Sequence, residues 1–194
     1  MTSLPANALP LAFKLHDAPV LVIGAGDVGA RKAGQLLEAG AVVTVISEVI
    51  GPNLPANVAH LERRRYRRGD LRGFRLVVSA TGDPSVNTQV AEEAHDEGVW
   101  LNVVDDPDRS TFFFTALHRA GEVTVSVSTN GAAPALAQYV RDLVVAALPK
   151  GLAQVADDLR SERAQFHDNG VTTEGIDWRR RIEELLVRAA PSES

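Results

Sequence analysis

The chain of 194 residues is 45% hydrophobic and 23% charged, with a net charge of −5 and no cysteine, which suits an ordinary soluble protein of one main domain with an appendage. The missing cysteine excludes disulfides, thiolate-held iron–sulfur clusters, thiolate zinc sites and a cysteine nucleophile, and the acidic balance argues against a general nucleic-acid binder, whose footprint is basic. No apolar stretch approaches the ~20 residues of a membrane span, and no cationic segment leads into an apolar one at the N-terminus, so a cytoplasmic protein is expected.

In chain order, Leu9-Pro10-Leu11-Ala12-Phe13-Lys14-Leu15 is an apolar lead-in suited to covering the edge of the first strand. That strand is Pro19-Val20-Leu21-Val22-Ile23, and Gly24-Ala25-Gly26-Asp27-Val28-Gly29 follows it and opens a helix. Strand, glycine turn and helix in this order make the dinucleotide-binding arrangement. Gly24 permits the tight turn, Gly26 lets backbone amides approach a pyrophosphate, and Gly29 lets the helix lie close to its strand. The amides of Asp27 and Val28 sit at the helix N-terminus, where unpaired N–H groups meet phosphates. Ala30, Ala33, Leu36 and Leu37 form the helix stripe and Gly40 its stop.

A second apolar strand, Val42 to Ile46, ends at Ser47-Glu48, where a residue that bonds the adenosine ribose is expected about 20 residues beyond the glycines. Serine can bond a ribose hydroxyl, and the local sequence supplies no arginine for a 2′-phosphate, so NAD is favoured over NADP. Glu48 is equally readable as a solvated loop residue. The run Arg63-Arg64-Arg65-Tyr66-Arg67-Arg68 reads as an exposed edge strand whose charges discourage pairing, rather than as a nucleic-acid patch. Leu76 to Ala80 is a buried parallel strand, Ser85 to Glu97 a helix stopped by Gly98, and Val99 to Val104 a further strand running into Asp105-Asp106-Pro107. This alternation predicts an α/β fold, a Rossmann-type doubly wound parallel sheet, over 1–111. The glycine turn, Ser47, Thr81 and Asp105 all fall at carboxyl ends of strands, where ligands bind in such sheets.

After Asp108 the pattern changes. Thr111 to Leu117 and Glu122 to Ser128 read as an antiparallel pair joined by Arg119-Ala120-Gly121, and Thr129-Asn130-Gly131 makes a turn. A helix from Pro134 to Leu148 carries Leu136, Val140, Leu143, Val144 and Ala147 on one face. This small α+β element, 112–149, needs a partner surface, for which the same element of a second subunit is the expectation. Two helices, Leu152 to Phe166 and Trp178 to Arg188, form a helical C-terminal domain over 150–194, with Ile182, Leu185 and Leu186 as its apolar stripe.

The lead-in, the turn Gly24 to Lys32, the stretches Ala80 to Asn87 and Asn102 to Pro107, and Val125-Ser126-Val127-Ser128-Thr129-Asn130-Gly131-Ala132-Ala133-Pro134 together resemble the dehydrogenase/ferrochelatase part of siroheme synthase. The resemblance is strong through Pro149 and thin beyond it. It implies a homodimeric enzyme that oxidises precorrin-2 to sirohydrochlorin with NAD⁺ and then inserts Fe²⁺. The methyltransferase domain fused in some members is expected to be absent. Asn130 replaces a glycine usual in the family's turn, Thr115 stands where the family often has proline, and the C-terminal part has no residue-by-residue match.

Hydride transfer belongs to the cofactor, so the protein must hold the nicotinamide against the macrocycle and accept a proton. The resemblance places that base on Asp105; Asp106, before Pro107, reads as a turn residue. Asn102 is a candidate for the nicotinamide amide, and Thr81 for a further cofactor contact. Ser128, Thr129 and Arg109, with Arg119 and Arg141, are candidates for the carboxylates of a tetrapyrrole polyanion. The histidines show no ligand-like pairing, so no fixed metal site is expected and iron is read as a substrate. Dehydrogenase-only or chelatase-only action, or a non-catalytic NAD-sensing dimer, are the other readings left open.

Overall fold

The computed structural model describes residues 8–189 and divides the chain into two compact units, one up to Phe113 and one from Phe114. The first unit is built on β1 (Pro19–Ala25), β2 (Val42–Ile50), β3 (His60–Glu62), β4 (Leu76–Ser79) and β5 (Trp100–Val103), all parallel in the order β3-β2-β1-β4-β5. Helices α1 (Asp27–Glu38) and α2 (Pro84–Glu97) link β1 to β2 and β4 to β5. Leu21 and Ile23 join Val77, Val90, Ala94, Leu101 and Val103 in one core layer. Their neighbours Val20 and Val22 point to the opposite face and are buried as well. With both faces covered, the strands are continuous Val/Ile/Leu runs, and the Rossmann-type class expected from the alternation is what forms.

Four expectations for this unit are corrected. The lead-in covers no edge of β1, because β1 is the central strand; Phe13 instead packs edge-on against Trp100 of β5, the true edge, with ring centroids 5.7 Å apart. Second, β2 does not stop at Ile46 but continues to Ile50 through an irregularity in its pairing with β1, so that Ala25 pairs with Ile50. Third, the edge strand is His60–Glu62 and the basic run lies beyond it. Fourth, Thr111 and Phe112 start no hairpin strand: both amides donate to the Leu101 carbonyl, and the Thr111 hydroxyl accepts from the Leu101 amide at 2.8 Å, which ties them to β5.

Three arginines of the basic run pair with acids of the same chain. Arg64 forks onto Asp70 and reaches Glu62, Arg65 pairs with Glu48, and Arg68 with Asp96. Tyr66 between them is buried, and its hydroxyl donates to Glu93, a carboxylate only 2% exposed. Glu93 also accepts from the amides of Gly69 and Leu71 at 2.9 and 3.1 Å. Burial, and then the Glu93 carboxylate beside it, push the Tyr66 hydroxyl far above its ordinary range. This buried acceptor pins the crossover from β3 to β4 onto α2, a tie between residues far apart in sequence.

In the second unit, β6 (Ala116–Ala120) and β7 (Val123–Val127) form an antiparallel pair, with α3 (Pro134–Ala146), α4 (Leu152–Asp168) and α5 (Trp178–Ala189) packed on it or on each other. The tip is Gly121-Glu122 rather than Arg119-Ala120-Gly121: Gly121 takes φ +60, and a Cβ there would lie 2.9 Å from Ala153 of α4. Within the single chain the apolar stripe of α3 is largely uncovered. Ala137 is the residue buried, while Leu136, Leu143 and Val144 of the expected stripe stay exposed together with Tyr139. A helix apolar on more than one side does not reveal by its periodicity which side meets the hairpin. Arg181 bonds Glu162 across α4 and α5, beside the buried Leu185.

Replacing Glu93 by Ala strands the buried Leu71 amide, the part-buried Gly69 amide and the Tyr66 hydroxyl, and should lower the urea-unfolding free energy by about 3 kcal/mol or more, whereas Tyr66→Phe, which leaves Glu93 its two amides, should cost about 1–2 kcal/mol. Equal losses in the two variants would show that Glu93 does not organise this crossover.

Candidate functional site

The parallel order brings the carboxyl ends of β1, β2, β4 and β5 to one edge of the sheet, and the first unit's singled-out residues gather there. Each glycine of the turn has a distinct steric reason. Gly24 adopts φ +96, and a Cβ on it would sit 2.6 Å from the Ala80 carbonyl oxygen. On Gly29 a Cβ would lie 2.0 Å from the Gly24 carbonyl oxygen. Gly26 is different: its φ is −72, open to any residue, and a Cβ there meets nothing within 4 Å. Neither backbone strain nor packing requires glycine at 26, so what the missing side chain preserves is open space before the N-terminus of α1. Gly26 supplies no side-chain cap, so the first-turn amides, including those of Asp27 and Val28, have no intrahelical partner and face that space. A bare helix N-terminus facing a gap that a Cβ would intrude on is the donor set a pyrophosphate requires.

The walls come from the neighbouring loops. Asp27 is turned aside, its carboxylate accepting from Asn53 Nδ2 at 3.1 Å, which leaves the amide end of the helix to a phosphate. Gly51, not singled out by sequence, donates its amide to the Ala25 carbonyl at 2.8 Å and passes so close that a Cβ would lie 2.8 Å from that oxygen. Ser79, fully buried, donates its hydroxyl to Asn87 Oδ1 at 2.7 Å, and Asn87 Nδ2 reaches the Thr81 carbonyl. Asp83 caps α2 through the amides of Ser85 and Val86, and Thr81 Oγ1 accepts from the Asp83 amide at 3.2 Å. Lys32, part-buried on α1, is lowered to about 8 by burial and by Arg31 beside it.

At the end of β2 the expectation changes in two respects. Ser47 does not stand free at a strand terminus: its Oγ accepts from the Ala25 amide at 3.1 Å and donates to the Val49 carbonyl at 2.7 Å, bracing the irregular pairing of β1 and β2. An arginine does stand there after all, because Arg65 places Nε 2.9 Å from Glu48 Oε2. The motif spacing held no hint of it, since the residue arrives from the far side of β3.

Beyond β5, Asn102 is buried and donates from Nδ2 to the Phe112 carbonyl at 3.0 Å. Asp105 takes φ +60, a left-handed conformation uncommon outside glycine, in a turn closed by the Asp106 amide on the Val103 carbonyl. Its side chain is exposed and makes no hydrogen bond or ion pair among the described residues. Asp106 is the opposite case. It accepts from the Arg109 guanidinium and the Arg109 amide, and the guanidinium holds its carboxyl below the usual range. Arg109 is thereby engaged inside its own turn. In the second unit, Ser128 Oγ accepts from the Asn130 amide and Thr129 Oγ1 from the Ala133 amide, both at 3.1 Å, at the approach to α3. Asn130 takes φ +53, the geometry that lets it stand for glycine. Arg141 bonds its neighbour Asp142, and Arg119 lies on β6. No group of three or more His, Cys, Asp or Glu side chains among the described residues is placed to hold a metal ion.

Comparison with known proteins agrees with this geometry. A family described as putative NAD(P)-binding matches residues 11–116, and one described as sirohaem biosynthesis protein central matches residues 121–147. The chain belongs to the siroheme synthase N-terminal family. It is 41% identical over 164 residues to the siroheme synthase of Methylococcus capsulatus (strain ATCC 33009 / NCIMB 11132 / Bath), covering 81% of this chain and 35% of that protein. The siroheme synthase of Tolumonas auensis (strain DSM 9187 / NBRC 110442 / TA 4) is 40% identical over 151 residues, 77% of this chain and 32% of that protein. The chain thus spans about a third of the length of these siroheme synthases. A solved structure, "SirC, precorrin-2 dehydrogenase", matches in fold with a TM-score of 0.71 and 22% identity, over 95% of this chain and 90% of that one.

The glycines should separate packing from binding. Gly29→Ala forces a methyl into the Gly24 carbonyl and should destabilise the chain by about 2 kcal/mol or more. Gly26→Ala should leave the thermal midpoint near that of the parent and abolish measurable NADH binding by calorimetry. Full NADH affinity in Gly26→Ala would refute the assignment of that space to the pyrophosphate.

Proposed function

We propose that the chain oxidises precorrin-2 to sirohydrochlorin with NAD⁺, with Asp105 as the base. The observation that carries this reading is an open, uncapped dinucleotide turn on the same sheet edge as a carboxylate, Asp105, that no other described residue engages. The names of the siroheme synthases and of the precorrin-2 dehydrogenase neighbour supply the substrate class.

When bound, NAD⁺ accepts a hydride and leaves as NADH. The chain's own residues do the rest. The amides following Gly26 hold the pyrophosphate, Gly24 and Gly29 set the turn that aims them, and Ser47 and Glu48 lie on the ribose side. Thr81, in the loop after β4, and Asn102, on β5, are on the nicotinamide side. The oxidation removes a hydride and a proton from the substrate, and Asp105 takes the proton. Asp106 is unsuited to that task, since Arg109 stabilises its ionised form and makes it the weaker base. Ser128 and Thr129, in the turn before α3, are hydroxyl donors for a substrate's carboxylates. Insertion of Fe²⁺, with iron as substrate, belongs to the same proposal, and Asp105 again receives the protons displaced from the macrocycle.

The exposed Leu136, Tyr139, Leu143 and Val144 on α3 favour a homodimer, in which a second copy covers this face.

Asparagine accommodates the left-handed conformation of residue 105, so Asp105→Asn should fold normally, bind NADH as the parent does, and lose about 10²-fold or more in the rate of anaerobic precorrin-2 oxidation followed by absorbance. Undiminished turnover would remove Asp105 from the mechanism. Failure of the parent chain to oxidise precorrin-2 while binding NADH would favour a sensor, and Fe²⁺ added after oxidation reads the chelatase separately. For the assembly, sedimentation should show a dimer for the parent and a monomer for Leu143→Asp; a monomeric parent ends the dimer reading.

A further inference from the structure

Asp105 stands on a turn whose backbone needs support. Its φ of +60 is a left-handed conformation that an aspartate adopts at a cost and that persists only where the surroundings fix it. Within the turn, the Val103 carbonyl accepts from the Asp106 amide at 3.2 Å, and the Val104 amide is tied to the Ser79 carbonyl of β4 at 2.9 Å. The Asp105 carboxylate makes no hydrogen bond or ion pair among the described residues, so the backbone beneath it sets where it lies.

A hydroxyl from beyond the turn holds that backbone. Ser110 Oγ accepts from the Val103 amide at 3.0 Å, and lies 2.7 Å from the Asp106 carbonyl oxygen and 3.2 Å from that of Val103. A hydroxyl has one proton to donate, and the shorter contact, to Asp106, takes it. Ser110 thereby joins the first residue of the turn to the last, with Asp105 between them. The brace is itself anchored to the sheet. Ser110 is half-buried, its amide donates to the Pro107 carbonyl at 3.2 Å, and the next residue, Thr111, is fastened to β5 by its amide on the Leu101 carbonyl at 2.7 Å and by the Leu101 amide on its hydroxyl at 2.8 Å.

We infer that Ser110 is a positioning residue for the oxidation: by bridging Val103 and Asp106, its hydroxyl holds Asp105 in the left-handed conformation that presents the carboxylate to the substrate. The inference rests on the reading of Asp105 as the base. Without the hydroxyl, the Val103 amide and the Asp106 carbonyl each lose a partner, residue 105 relaxes toward the negative φ that side chains prefer, and the carboxylate swings with its Cα–Cβ bond. Proton transfer needs hydrogen-bond reach, and a displacement of about 1 Å can cost on the order of 10²-fold in rate. The glycine turn after β1 shares none of the Ser110 bonds, so cofactor binding is spared.

The test is anaerobic precorrin-2 oxidation by the full chain, with kcat and KM separated, for the parent, S110A, S110T, D105N and S110A combined with D105N, alongside calorimetric titration with NADH. S110A should lose about tenfold in kcat with NADH affinity unchanged, and S110T, which keeps the hydroxyl, should recover most of that loss. In the D105N background S110A should cost nothing further, because the brace acts only through the carboxylate. A tenfold loss repeated in D105N, or a parental kcat in S110A, would overturn the inference while leaving Asp105 as the base. Turnover of D105N at the parental rate, or a parent that does not oxidise precorrin-2, would overturn the reading of Asp105 and this inference with it. Should S110A not fold, S110T and S110V, alike in shape and differing in the hydroxyl, carry the same comparison: a lower kcat in S110V supports the brace, and equal kcat in the pair overturns it.

Discussion

The close approach of α1 to the turn before it, where Gly29 lies against the Gly24 carbonyl with no room for a methyl group, is the constraint from which the site follows. It sets the helix axis low on the sheet and brings the uncapped amides to the sheet edge. Gly24 in turn lies against the Ala80 carbonyl, and Gly51 against that of Ala25. The loops that leave β1, β2 and β4 are therefore locked by backbone on backbone. Such contacts leave little freedom to adjust, because packed interiors respond to even one added methylene. A floor made of main chain recognises what all dinucleotides share, the pyrophosphate. The side chains beside that floor at the end of β2 are Ser47, Glu48 and Arg65.

How much of this was legible in the sequence depended on how far each signal reached along the chain. The parallel strands were readable because burial on both faces demands continuous apolar runs, and the glycine turn because its requirements lie within six residues. The stop of α2 at its left-handed Gly98 was equally local. The extension of β2 was not, since an irregular pairing held by Ser47 on the Ala25 amide depends on a contact between residues 22 apart. Tyr66 was hidden inside a run of arginines whose charge suggested an exposed strand; its partner Glu93 lies 27 residues away, on a helix where a glutamate would ordinarily be solvated. Arg65 was missed for the same reason. A charge in a sequence shows its sign and not its partner.

The second unit illustrates a different limit. Its helix α3 has apolar residues on more than one side, so the stripe chosen from periodicity includes residues left exposed in the single chain. A hairpin and one helix bury too little to settle which side is inward. The exposed set Leu136, Tyr139, Leu143 and Val144 makes physical sense only when the molecule is considered as one member of an assembly.

Charge bears on the proposed chemistry from a direction that neither motif nor fold does. The chain carries −5 overall, and Arg64, Arg65, Arg68, Arg72, Arg109, Arg141, Arg160 and Arg181 are all paired with acids of the same chain. Those guanidiniums are committed to neighbouring acids, so recognition of the proposed polycarboxylate substrate would rest on short-range donors. Hydroxyls, and amides at helix starts, bind carboxylates without carrying charge, so they do not raise the acidity of a nearby base as an unpaired arginine would. That would suit the proposed chemistry, in which a carboxylate accepts a proton.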